Sequence, residues 1–543
     1  MNVSPYSGVA LKRSAIHLLV GKVASALLTF SILFLLVRLL TTEEYGTYVT
    51  LEAGSIFVLS ITSFGLPWLA ARYLPEFRLH GNGDQLAYFI WRIIALISLF
   101  NIMGASLLFM AMPWLLEPLG LMHQIDVARL YLLVLVLEGL RGNILECTLE
   151  PLLLQRQAQL SQIMRNLAFL SGLSILAIQG MAHLYNAVLA ELAGTFLGTT
   201  SALLSLTRHL HTHRNLQGMN GWQVPNWSEM WRATRHMYFS NLVTLTYGSS
   251  VLVFLTQRFL GVETTALFGF LYNLFGQIRR YLPSSLLLGL IRPKLIASYM
   301  GEDGAAQLTR NANLVGKVSL FVLMPLLVFV WLAGSELLNL ISGGKFTQAG
   351  YYFGGLLMAL IPLSQRQILE TVAIASGRSD LCSWGSFLGI LTLPLAYWLL
   401  ESGQGIWSPI IAMVAGQLIF NVILVTAMRF TTPYRPDTIG FLKLSMAALM
   451  GYGLGILVKM AWEGSLLSLP NNDFAALIDN AQGIVSKFLS ENIDSPVPDL
   501  LSLTTMGTLA CSLFLLVAYF FKPFRVEERM RLNRFLNRNI FIW

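Results

Sequence analysis

Residues 21–48 read "GKVASALLTFSILFLLVRLLTTEEYGTY", an apolar run that closes on Arg38, passes two glutamates and an aromatic-glycine pair, and then turns apolar again. An α-helix rises 1.5 Å per residue, so about 20 such residues cross a hydrocarbon core of about 30 Å. The stretch therefore reads as the turn between two membrane-spanning helices. The pattern returns 220 residues later as "FLTQRFLGVETTALFG", Phe254 to Gly269.

The surroundings agree. Of 543 residues, 55% are hydrophobic and only 12% charged, with a mean hydropathy of +0.63. A soluble domain carries about twice that charged fraction. Apolar segments give fourteen expected spans: 15–40, 45–68, 86–112, 127–148, 161–182, 184–206, 236–259, 265–290, 312–334, 349–375, 381–400, 407–429, 439–462 and 500–521. None alternates apolar and polar residues as a barrel strand does, so the expected fold class is an all-α polytopic membrane protein.

Lys and Arg set the expected orientation. With a cytoplasmic N-terminus, the larger share of the 36 basic residues falls on the cytoplasmic side, including Arg208, Arg214, Arg232, Arg235 and a tail set from Lys522 to Arg538. Both termini are expected inside. The pI of about 9.3 then reflects anionic lipid headgroups and insertion bias, and no nucleic-acid partner is expected. The first apolar run is too long for a signal-peptide core and is expected as an uncleaved first span. Cys147, Cys382 and Cys511 stand singly inside predicted helices, which argues against a disulfide or zinc site. His209, His211 and His213 lack companion cysteines or acids, so no metal site is expected.

Sliding the chain by 220 residues pairs Phe34 with Phe254, Arg38 with Arg258, Leu40 with Leu260, Glu43 with Glu263 and Arg72 with Arg292. The shift carries span 1 onto span 7, with an even number of spans between, so the halves are parallel repeats, an arrangement that transporters use. The repeated residues Arg38, Glu43, Arg258 and Glu263 mark the hairpin end of each repeat, where glycine and glutamate are read as ending the first helix. The expected division is an N-lobe over 1–206, a cytoplasmic loop over 207–235 and a C-lobe over 236–430. Spans 13 and 14 follow within 431–521, with an outer loop over 463–499, and a basic tail covers 522–543. In the outer loop, residues from Phe474 to Phe488 approach helical spacing, so an amphipathic surface helix is expected there. The tail reads as a basic amphipathic helix in contact with lipid.

Charges inside spans carry the functional signal. Each Arg or Lys at the bilayer centre costs about 3 kcal/mol on insertion scales, so such residues face partners or water. The deep bases are Lys22, Arg141, Arg279, Arg280 and Arg366, and the deep acids are Glu52, Glu138, Glu191 and Glu370. A hydrated cavity accounts for them. The alternative is internal pairing, since Glu138 and Arg141 stand i,i+3 and Arg366 and Glu370 stand i,i+4. Arg279 and Arg280 have no nearby acid in sequence, and adjacent helical positions point about 100° apart. No nucleotide loop, paired catalytic carboxylates or nucleophile motif is present, so an enzyme is not expected.

The opening stretch, with "SFGLPWLAARYLPE" (63–76), the segment from Trp231 to Gly261, and "ALIPLSQRQILETVAIASGRSDL" (359–381), resembles the bacterial polysaccharide flippases. These belong to the multidrug/oligosaccharidyl-lipid/polysaccharide exporter superfamily. The resemblance implies two six-helix lobes around a central cavity lined by spans 1, 2, 4, 7, 8 and 10. Of the residues singled out from charge alone, Lys22, Glu52, Glu138, Arg141, Arg279, Arg280, Arg366 and Glu370 fall on such spans, and Glu191 does not. The implied activity is translocation of a polyprenyl-diphosphate-linked oligosaccharide across the bacterial inner membrane. The implied partners are that lipid-linked cargo, membrane lipids and polysaccharide polymerisation or export machinery, with the protein a monomer. No cofactor is implied, and a coupling proton or sodium ion stays open. The alternatives are a cation-coupled multidrug antiporter of the same superfamily and a membrane glycan polymerase or ligase.

Overall fold

A computed structural model describes residues 8–215, 218, 221–286, 304–376, 378, 380–432, 434–462, 497–536, 539 and 541–543. The described residues are helical or turn and contain no strand. The outer-loop helix expected within 463–499, Arg292 of the repeat and Gly377 lie outside the described residues. The chain forms two compact units: residues 1–273 with 393–409, and 274–392 with 410–543.

In the first unit, α1 (Gly8–Leu39) and α2 (Thr42–Thr62) meet at the hairpin of the opening stretch. The glutamates there start a helix instead of ending one. Thr41 Oγ1 accepts from the Glu44 N–H, and the Thr41 N–H donates to Glu44 Oε2, a reciprocal cap that satisfies two N-terminal donors. Glu44 Oε1 also accepts from the Leu184 N–H, which ties this corner to the start of α7. After a turn at Phe64 and Gly65, α3 (Leu66–His80) continues at 55° to α2. Asn82 and Gln85 cap α4 (Gly83–Leu116) in the same reciprocal way. Then come α5 (Ile125–Ile144), α6 (Gln155–Ile178), α7 (Leu184–Thr212), α8 (Trp227–Thr246) and α9 (Ser249–Tyr281). α6 packs between α1 and α7, and α5 packs on α4 and α7.

The two repeats touch at their hairpins within this unit. A Cβ on Gly46 would lie 2.3 Å from the Val262 carbonyl oxygen, and one on Gly269 would lie 2.2 Å from Val49 Cγ1. Val49 and Gly269 are partners under the 220-residue shift, so the closest approach joins equivalent positions. Gly261, at φ 82° and ψ 177°, kinks α9 where the second repeat has its turn, a backbone region essentially confined to glycine.

The second unit takes up the C-terminal residues of α9 and then α10 (Pro283–Leu286). Next come α11 (Gly304–Ser342), α12 (Gly350–Met358), α13 (Leu360–Ala375), α14 (Asp380–Gly389) and α15 (Thr392–Glu401). The last four are α16 (Trp407–Thr431), α17 (Thr438–Trp462), α18 (Val497–Phe521) and α19 (Val526–Leu536). Inside this unit α11 is the hub, packing on α12, α13, α17 and α18, while α17 and α18 pack on each other.

This is a multi-pass membrane protein. Ten helical segments among the described residues are long and apolar enough to cross a membrane, or eleven if bent α2 and α3 form one span. Three features separate that number from the fourteen expected. α5 carries Asp126, Arg129, Glu138 and Arg141 and is too polar to qualify. Residues 241–281 run as one helical segment across the Gly261 kink. The span expected over 349–375 is broken at Ala359 into α12 and α13, each too short alone.

Candidate functional site

Five helices of the first unit bring charged and amide side chains together. Arg141 is buried on α5 and grips Glu138 with two bonds, Nε to Oε2 at 3.0 Å and a guanidinium nitrogen to Oε1. Its third nitrogen donates to Gln162 Oε1 at 2.7 Å. Arg165, on α6, donates to Glu191 Oε1 of α7 at 2.7 Å and comes within 3.8 Å of Glu138. Tyr48 of α2 donates to the other Glu191 oxygen at 3.0 Å. Asn166 accepts from Gln162 and Arg165 and donates toward Ser25 and Thr29 of α1. Gly198 of α7 makes room, since a Cβ there would lie 2.7 Å from Arg165 Cβ.

Two guanidinium groups thus meet two carboxylates, and the cluster neutralises itself. With side-chain exposures of 5% for Arg141, 15% for Arg165 and 4% for Glu191, its chemistry is cohesion. An ion taken out of water is tolerated only with partners for its charge and its hydrogen bonds. Arg165 is the member that charge position alone missed, because it stands close to the start of its span, where a side chain can reach the interface. The available signal was the polar stripe Gln162, Arg165, Asn166 at i, i+3, i+4 on one helix face.

Of the other expected residues in this unit, Lys22 is exposed on α1, beside Gly21. Glu52, partly buried on α2, receives a long bond of 3.5 Å from Asn273. At the hairpins, Arg38 lies over the Phe34 ring at 4.1 Å and Glu43 pairs with His123 at 3.1 Å, while Arg258 and Glu263 are exposed.

In the second unit Arg366 and Glu370 form the i,i+4 pair that their spacing allows, Nε to Oε1 at 2.8 Å. Arg366 also donates to Gln417 Oε1 at 3.3 Å and lies 3.9 Å from the centre of the Phe420 ring. Arg279 and Arg280 occupy the last turn of α9, and both are exposed. A cation there is favoured by the carbonyl end of the helix dipole. The structure thus separates bases embedded in partners (Arg141, Arg366) from bases turned outward (Lys22, Arg279, Arg280).

This helical course is found in solved membrane transporters. The lipid II flippase MurJ, in an inward closed conformation, matches with a TM-score of 0.64 over 96% of this chain and 100% of that one, at 12% identity. The chain has the fold of that flippase. An inward-facing multidrug resistance MATE family transporter of the MOP superfamily matches with a TM-score of 0.59 over 77% of this chain and 97% of its own, at 14% identity. A MATE structure in a bent conformation gives 0.55 over 79% and 95%, also at 14% identity. No protein-family model matches the chain, and no curated protein matches its sequence.

Proposed function

We propose that this protein is a flippase of the bacterial inner membrane that moves a polyprenyl-diphosphate-linked oligosaccharide from the cytoplasmic to the periplasmic leaflet by alternating access. The observation that carries the reading is the extent of the fold match. The lipid II flippase accounts for 96% of the chain. The remainder holds fewer residues than either α17 or α18, each of which has 25, so the match reaches into both C-terminal helices. The multidrug transporter accounts for 77%, which leaves room for both helices to be additions to it. A cargo with a long lipid tail gives two further helices a use, and a small cationic drug does not.

The charge distribution supports the same cargo. Exposed Lys22, Arg279 and Arg280 suit a diphosphate and acidic sugars, since the planar arginine fork binds phosphate oxygens in pairs. The self-neutralised clusters around Arg141 and Arg366 hold helices in place instead. Both termini are placed in the cytoplasm, so that cargo loads from the side where it is assembled.

The test uses a strain that lacks this protein and any second flippase. Lipid-linked oligosaccharide accumulates facing the cytoplasm, wild type restores outward access, and Arg279→Ala with Arg280→Ala does not, at equal protein level. Normal outward access in the deletion strain overturns the proposal. Loss of resistance to lipophilic cations in the same strain would favour a multidrug antiporter, with Glu52 as the carboxylate to examine first.

A further inference from the structure

A cleft of about 310 Å³ opens where α11, the segment leading into α17 and the tail helix α19 come together. Four arginines line it: Arg310 from α11, Arg435 from the segment before α17, and Arg525 and Arg531 from the tail. All four are exposed. Two of the three carboxylates in its wall, Asp437 and Glu528, are held from beneath by fully buried Lys317, whose Nζ lies 2.8 Å from Asp437 Oδ2 and also bonds Glu528 Oε2. Only Glu527 has no such cation beneath it. Five cations against three carboxylates leave the cleft electropositive.

The arginine contacts leave donors to spare. Arg435 spends one nitrogen on the carbonyls of Thr432 and Tyr434, Arg531 spends one on Asn311 Oδ1, and Arg525 stands 3.6 Å from Asp437. A guanidinium has five N–H donors. The cleft also sits where three apolar segments end, Ala306 of α11, Thr438 of α17 and Phe521 of α18, which is the depth of lipid headgroups.

We infer that this cleft binds the phosphate group of an anionic membrane phospholipid, with Arg310 and Arg531 as its principal ligands. The tail is the third wall, so the bound headgroup fastens the tail helix against α11. The site is separate from any cargo contact at Arg279 and Arg280, and its failure would leave the flippase reading untouched.

Native mass spectrometry of the detergent-purified full chain tests this with phosphatidylglycerol, phosphatidylcholine and inorganic phosphate. Wild type retains phosphatidylglycerol and releases phosphatidylcholine. Each charge-assisted bond is worth about 1.5–3 kcal/mol, so Arg310→Gln with Arg531→Gln weakens retention by at least about tenfold. Glu527→Gln, which removes only an exposed carboxylate, tightens it. Displacement of the lipid by millimolar inorganic phosphate would keep the phosphate site and name a soluble source. Equal retention by wild type and the double arginine variant overturns the inference. If that variant does not fold, unchanged retention by Glu527→Gln overturns it equally.

Discussion

The first unit spreads its embedded charges over five helices, whereas the second keeps them in local pairs. Glu138, Arg141, Arg165 and Glu191 share partners across α5, α6 and α7, with Tyr48 and the amides tying in α2 and α1. Arg366 finds Glu370 one turn along its own helix. A shared network fixes how helices pack, because no member keeps its partners if one helix moves. A pair on one helix travels with that helix. By this difference the first unit is the stiffer bundle at mid-span.

The sharpest way to break the comparison is Arg165→Ala. It leaves Glu191, 4% exposed, with only the Tyr48 hydroxyl. Removing one partner of a buried pair costs about 3–5 kcal/mol. Thermal unfolding in detergent should show a large drop in melting temperature, and a drop as small as that of a surface mutant would mean that the network does not bind the unit together. Arg366→Gln should cost less, about 1–2 kcal/mol, because Glu370 is 29% exposed and an amide still reaches Gln417. Equal losses for the two variants would erase the distinction between shared and local pairing.

The Lys317 clamp gives a smaller, pH-dependent effect. Burial pushes the Asp437 carboxyl up, but the bonds from Lys317 and the Gly440 N–H, with the nearby charges of Lys317 and Arg525, outweigh it and hold the group below its ordinary 3.8. A carboxyl whose folded value is depressed adds stability at neutral pH and loses it as the pH falls through that value. Amide hydrogen exchange across residues 526–536 should therefore stay slow at pH 7 and accelerate below about pH 3.8 as the tail loosens. Lys317→Met should accelerate it already at pH 7. An exchange rate indifferent to both changes would show that the tail docks through Phe541 and Trp543 on Phe321 and not through charge.

Much of this was legible in the chain because lipid demands an unambiguous pattern. Long apolar segments gave the helices, and the spacings of Glu138 with Arg141 and Arg366 with Glu370 gave two pairs that stand as spaced. The 220-residue register gave the meeting of Val49 with Gly269. The start of α2 was legible too, since Thr41-x-x-Glu44 is a capping box, although the glutamates read first as a helix end. What stayed hidden depended on distant partners. Glu191 has no neighbour in sequence to announce Arg165, and Lys317 meets Glu528 only through folding across 211 residues. The tail carries many bases, which reads as a lipid anchor, yet its acidic first turn is what engages the buried lysine.

The smallest expected effect on stability falls on Arg279 and Arg280, and there the comparison turns from fold to function. Both lie exposed in the last turn of α9, where a cation gains about 0.3–1 kcal/mol from the helix end. Arg279→Ala with Arg280→Ala should therefore shift the unfolding free energy by about 1 kcal/mol or less. If the proposed cargo is right, the same variant abolishes export, so stability and transport separate. Arg165→Ala should lose both together, because transport fails when the bundle does. Export that persists in a stable Arg279/Arg280 variant would leave the exposed bases without a cargo. A variant that unfolds would instead place these arginines among the charges that hold the helices, beside Arg141 and Arg366.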